Sequence, residues 1–155
     1  MKKLTSALLI AAFTSSSAMA ASGDVIFNGV VASVCTVTIG APGTLAADGN
    51  VDQLSSKNTG GAQGGATVVA TSGAFSVSAL APTDFSIKPP EETATSTFTT
   101  TYSVSGATTV AETAGATTSA INAGVNTVNV DLTADRASGA YSAGAYTGLV
   151  TVLCE

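Results

Sequence analysis

The chain has 155 residues, 45% of them apolar and 10% charged, with five basic residues, ten acidic residues and no histidine or tryptophan. That balance excludes a disordered chain, a nucleic-acid binder and any enzyme that depends on histidine. Alanine, valine, glycine, serine and threonine dominate, so the chain reads as short strands joined by small-residue turns.

Residues 1–20 have the layout of a secretory signal peptide. Lys2 and Lys3 form a positive start, Leu4 to Phe13 an apolar stretch, and Ala18-Met19-Ala20 a small-x-small cleavage site. The apolar run is about ten residues, half of what a membrane-spanning helix needs. Cleavage would leave residues 21–155 as a single domain with three basic residues against ten acidic, a net charge of −7. Such a domain has no basic patch for phosphate or anionic lipid and no membrane span.

The leading segment, 21–33, is an apolar β segment in which Val25, Phe27, Gly29 and Val31 share one face. Val34 to Ile39 follows as a strand with Cys35, Val37 and Ile39 on one side and Val34, Thr36 and Thr38 on the other. Residues 40–65, rich in Gly, Ala and Asn, read as a long loop with one edge strand at most. Phe75, Val77 and Ala79 alternate with serines. Phe98, Thr100, Tyr102 and Val104 alternate with Thr97, Thr99, Thr101 and Ser103, and Val128, Val130 and Leu132 with Thr127, Asn129 and Asp131. In the last strand Tyr146, Gly148, Val150, Val152 and Cys154 lie opposite Thr147, Leu149, Thr151 and Leu153.

Turn clusters separate these strands at Gly40-Ala41-Pro42-Gly43, Gly60-Gly61, Gly64-Gly65, Pro89-Pro90-Glu91-Glu92 and Ser138-Gly139. No segment of 21–155 sustains a helical apolar stripe, and nothing repeats at a fixed period. Seven or eight short strands in this length predict an all-β, immunoglobulin-like antiparallel sandwich.

Cys35 and Cys154 are the only cysteines. In an oxidising compartment an isolated even pair is most simply a disulfide. Two cysteines without histidine leave a zinc site short of ligands and a thiol nucleophile without its base. Closing so long a loop is worth on the order of 4–5 kcal/mol in the chain-entropy model.

Other chemistry is sparse, and the chain reads as neither an enzyme nor a cofactor carrier. Asp48, Asn50 and Asp52 have the spacing that opens a calcium loop, but Gln53 stands where its glycine belongs and Thr59 where its glutamate belongs. A solvated turn is the better reading, with calcium a weak alternative and no other metal expected. Glu91-Glu92 reads as a solvated turn, and Asp131 and Asp135 as a weak acidic patch without the aromatic platform of a sugar site.

The two ends, ASGDVIFNGVVASVCTVTIG and SAGAYTGLVTVLCE, resemble the subunits of chaperone–usher fimbriae, including the archaic branch related to spore coat U proteins. There a leading strand precedes a first-strand cysteine, and an AG-x-Y-type turn opens the final strand. The resemblance covers about forty residues, and the middle matches only in its Thr/Ser/Gly/Ala-rich, tryptophan-free character.

The resemblance implies an incomplete sandwich that lacks its last strand, completed by the leading strand of the next subunit. Val25, Phe27, Gly29 and Val31 become the donor residues, and Tyr146, Val150 and Val152 the terminal-strand partner contacts. The implied partners are other copies or related subunits in a polymer, a periplasmic chaperone and an outer-membrane usher. The implied route runs through the periplasm to the cell surface, where fimbriae serve adhesion.

Two departures bear on this. Family disulfides commonly tie two strands of the N-terminal half, whereas Cys154 is penultimate, on the strand the chaperone grips. Only Ala21 to Asp24 precede Val25, so a detachable donor and a separate first strand do not both fit before Cys35. A self-complemented monomer and a non-polymerising secreted surface or periplasmic binding protein therefore stand beside the fimbrial reading.

Overall fold

The computed structural model describes Met19 and residues 21–155. Met19 apart, the signal-peptide reading of residues 1–20 lies outside the described residues. The chain divides into two compact units, one ending at Val30 and one running from Val31 to Glu155. Residues 21–34 contain no strand, contrary to the expectation for 21–33: a β segment becomes a strand only when a partner takes its backbone hydrogen bonds.

The second unit is all-β, with no helix and ten strands among the described residues. They are β1 (Cys35–Ile39), β2 (Ala46–Ala47), β3 (Gln53–Ser55), β4 (Gly64–Ala70), β5 (Phe75–Leu80), β6 (Ser96–Gly106), β7 (Val110–Ala114), β8 (Ser119–Ile121), β9 (Gly124–Arg136) and β10 (Thr151–Cys154). Every pairing is antiparallel. β9, the 13-residue spine, pairs with β6 along one edge. Its other edge pairs with β4 over its first half and with β3 near its end. β1 lies outside β4, β2 outside β3 and β7 outside β6. The second sheet runs β10-β5-β8, so β1 and β10 are edge strands of different sheets.

The two sheets form the expected immunoglobulin-like sandwich, and period-two alternation builds its core. Val68, Val77, Tyr102, Val104, Ile121 and Val128 are all but fully buried between them. The Tyr102 hydroxyl lies 3.0 Å from Val77 O, 2.8 Å from Thr117 O and 2.6 Å from Ser119 Oγ, tying β6 to the opposite sheet. A second cluster joins Leu54, Ala134 and Tyr141 to Phe85, whose ring meets Phe98 edge-on at 4.8 Å.

Several sequence expectations need correction. Gly64-Gly65 is not a turn but the start of β4. Glycine serves there for close approach: a Cβ on facing Gly43 would stand 2.9 Å from Gly64 N. The 40–65 stretch holds β2 and β3 and a bridge between Thr44 and Ala62. β7 and β8 carry too few large apolar residues for alternation to reveal them. Ile39 shares its face with Cys35 and Val37, yet it is 71% exposed because that face opens onto a groove at the end of β1. The last strand is shorter than expected, with regular pairing only from Thr151, although Thr147 bridges to Ile87.

Candidate functional site

Cys35 and Cys154 are bonded, with Cα atoms 6.3 Å apart. The bridge joins the first residue of β1 to the last of β10 and places the folded chain in an oxidising, exported compartment. Beyond it the two strands diverge into a groove of about 480 Å³.

One wall is the segment from Ile39 to Leu45, which continues β1. Its backbone bonds go to the β4 side: Gly40 N donates to Gly65 O (2.8 Å), Gly65 N to Ala41 O (2.9 Å), and Thr44 exchanges bonds with Ala62 (2.8 and 2.9 Å). The other wall is Tyr146 to Val152. Thr147 N donates to Ile87 O (2.9 Å) and Ser86 N to Thr147 O (2.7 Å), and from Thr151 onward the ladder with β5 takes over. Each wall thus spends its hydrogen bonds on one edge and turns the other toward the groove.

The floor combines Gly64, Gly65 and Ala66 with Val130 and Leu132. Ile39 and Leu149 form apolar lips, 71% and 65% exposed. No Asp, Glu, Lys or Arg lines the groove. A narrow apolar slot with unpaired backbone on both sides can take an extended peptide by strand addition. At Gly148 the wall packs directly on the floor, since a Cβ there would stand 2.5 Å from the Leu132 Cδ2.

Tyr146 marks the open end, held by a buried polar cluster. Its hydroxyl lies 2.8 Å from Ser142 O and 3.2 Å from Glu92 Oε2. Glu92, 3% exposed, also accepts from Ser142 N (3.0 Å), Ala94 N (3.2 Å) and Arg136 Nε (2.9 Å). Burial pushes its carboxyl up, but the Ser142 N–H, the Arg136 guanidinium and the Tyr146 hydroxyl outweigh it and hold the group below the ordinary glutamate value. Burial, then the Glu92 carboxylate, raises Tyr146 above the ordinary phenol value. Of the expected Glu91-Glu92 solvated turn, only Glu91 is solvated.

Among the sequence candidates, Val150 and Val152 line the groove with Tyr146. Val25, Phe27 and Val31 are 77%, 91% and 82% exposed, and no atom lies within 4 Å of a Cβ built on Gly29. Asp48, Asn50 and Asp52 form a self-capped turn: the Asp48 carboxylate accepts backbone N–H bonds from Asn50 (3.3 Å), Asp52 (3.1 Å) and Gln53 (3.2 Å). Asp131 is no surface patch. It is 3% exposed and accepts from Ser56 Oγ (2.7 Å) and Gln63 Nε2 (2.6 Å), while Asp135 accepts from Gln53 Nε2 (2.8 Å).

Sequence reasoning missed the 39–45 wall and the Glu92 cluster. The Gly/Ala floor opposite a terminal strand is the signal that could have revealed the groove. No family model, curated protein or solved structure matches the chain. Among the described residues no helix is long and apolar enough to cross a membrane.

Proposed function

We propose that the protein is a structural, non-catalytic subunit of a surface fimbria, assembled by complementing its groove with the leading strand of another copy or a related subunit. The carrying observation is a double vacancy in one chain. An apolar groove runs between two half-paired strands, and a separate segment with Val25, Phe27 and Val31 exposed has no strand partner. Placing that segment in the groove of a neighbour buries the apolar face and gives ladder bonds to both walls. A head-to-tail contact of this kind does not close, so it propagates as a fibre.

On this reading the chain is exported to the periplasm, where a chaperone covers the free edge of 146–152 until an usher delivers the subunit to the surface. The fibre there serves adhesion. A second reading rests on the groove alone: a non-polymerising secreted sandwich that binds an extended peptide of another protein.

Electron microscopy with unheated SDS electrophoresis of the mature chain and its Phe27→Asp variant separates the two. Fibres and a ladder of multiples, both abolished in the variant, support the fimbrial subunit. Monodisperse monomer from both proteins rejects it and leaves the binding module or a self-complemented monomer.

A further inference from the structure

The disulfide does more than join the ends of the domain. Neighbouring strands stand about 4.8 Å apart, so the two flanks of an inserted strand must be roughly 9–10 Å apart. The Cα atoms of Cys35 and Cys154 are 6.3 Å apart, too close to admit a strand between them. The groove lining accordingly stops at Ile39 on one wall and Val152 on the other, short of the cysteines.

Resting on the complementation reading, we infer that the Cys35–Cys154 bridge is the end stop of the groove and sets the register of the incoming strand. The open wall from Tyr146 to Val152 is seven residues, about 20 Å of extended chain. The donor face from Val25 to Val31 is also seven. Residue 24 is an aspartate, which an apolar closed end cannot bury unpaired. Lys57, Lys88 and Arg136, the basic residues of 21–155, are each already bound to Glu112, Asp84 and Glu92. Asp24 therefore stays in water at the bridge, and Val25 is the first residue inside.

The direction follows from the tether. Residues 32–34 are fastened to their own domain: Thr71 Oγ1 donates to Ala32 O (2.7 Å) and accepts from Val34 N (2.7 Å), and Thr71 N donates to Val34 O (3.0 Å). A donor anchored at this end enters with residue 25 leading and leaves residue 31 at the mouth. That runs antiparallel to 146–152 and parallel to the Ile39–Leu45 wall, whose chain also leads away from the bridge. The stop then pairs Val25 with Val152, Phe27 with Val150, Gly29 with Gly148 and Val31 with Tyr146. This register puts the donor's one residue without a side chain opposite the position where Leu132 crowds the wall. A slip of one residue would turn Ile26, Asn28 and Val30 inward instead.

The test uses the full mature chain with the photo-crosslinking residue p-benzoylphenylalanine at position 27, and separately at position 31, followed by mass-spectrometric mapping of links between copies. Links from 27 centred on Val150 and from 31 centred on Tyr146 are expected. Links between copies that place position 27 at Cys154, or that run in the opposite order, overturn the end stop while complementation stands. Absence of any link between copies, with no polymer, overturns the complementation reading itself. In the Cys35→Ser/Cys154→Ser protein the links from position 27 should spread toward position 154, and an unchanged single register there overturns the stop. If that protein does not fold, the map on the bridged chain decides.

Discussion

Glu92 and Arg136 form the best-shielded ion pair among the described residues, Oε1 to Nε 2.9 Å, with the Glu92 side chain 1% exposed and that of Arg136 14%. The pair holds the Pro89–Glu92 turn against the end of β9, and through Ser142 and Tyr146 it sets the mouth of the groove. Glu92→Ala leaves the Arg136 guanidinium and the Ser142 and Ala94 N–H groups without their acceptor, while the Tyr146 hydroxyl keeps Ser142 O, so a loss of about 3 kcal/mol is expected. Urea unfolding of the two proteins measures it.

The same carboxylate predicts acid sensitivity. Its folded value lies below its unfolded one, so the unfolded chain binds the proton first as pH falls. The stabilisation is whole above the ordinary glutamate value and is lost as pH drops through the lowered folded value. Exposed Asp84 and Glu112, lowered first by Lys88 and Lys57 respectively, act in the same direction. Melting curves between pH 7 and pH 2 should show the melting temperature falling below about pH 4.5, with a shallower fall for Glu92→Gln.

Tyr102 hydrogen-bonds across the sandwich from the middle of β6, so Tyr102→Phe keeps the ring but removes the one hydroxyl hydrogen that the carbonyls of Thr117 and Val77 compete for and the acceptor that faces Ser119 Oγ. A cost of about 1–2 kcal/mol is expected from the buried hydrogen bond lost. Calorimetry of the variant checks it, and an unchanged melting temperature contradicts it.

Gly115 and Gly65 should respond in opposite ways to an added side chain. A Cβ on Gly115 would collide with Thr100 Oγ1 and the Ala79 carbonyl, in the place where Ala79 N donates to Gly115 O (2.8 Å). Gly115→Ala is expected to lose at least about 2 kcal/mol. On Gly65 a Cβ meets nothing within 4 Å. Gly65→Leu, on the outer face of β4 with Thr67 and Val69, should therefore fold with a near-normal melting temperature.

What could be read from the sequence follows from the physics of each element. β6 and β9 alternate apolar and polar residues over many positions, and that pattern identifies a half-buried strand without knowledge of its partners. The disulfide was legible because only two cysteines exist and the pattern of residues 1–20, expected to be a secretory signal, implied export. The Glu92 cluster was not: its partner Arg136 is 44 residues away, and two glutamates after two prolines look like any solvated turn. Asp131 misleads similarly, sitting on the polar face of β9 yet covered by Ser56 and Gln63. The groove depends on two edge strands from different sheets lying side by side, a non-local fact that alternation within either segment does not contain. Its terminal wall, with Tyr146, Val150 and Val152, was nonetheless among the expected contacts because the resemblance pointed there.

Mixing two disabled chains tests strand complementation most directly. Phe27→Asp keeps an apolar groove but has a spoiled donor, while Ile39→Asp keeps the donor but places a charge on the exposed lip of its groove. Light scattering after size-exclusion chromatography should find each protein monomeric alone and a 1:1 dimer, with no longer species, when they are combined. Failure of the mixture to dimerise, or fibres from either protein alone, would contradict assembly through this groove.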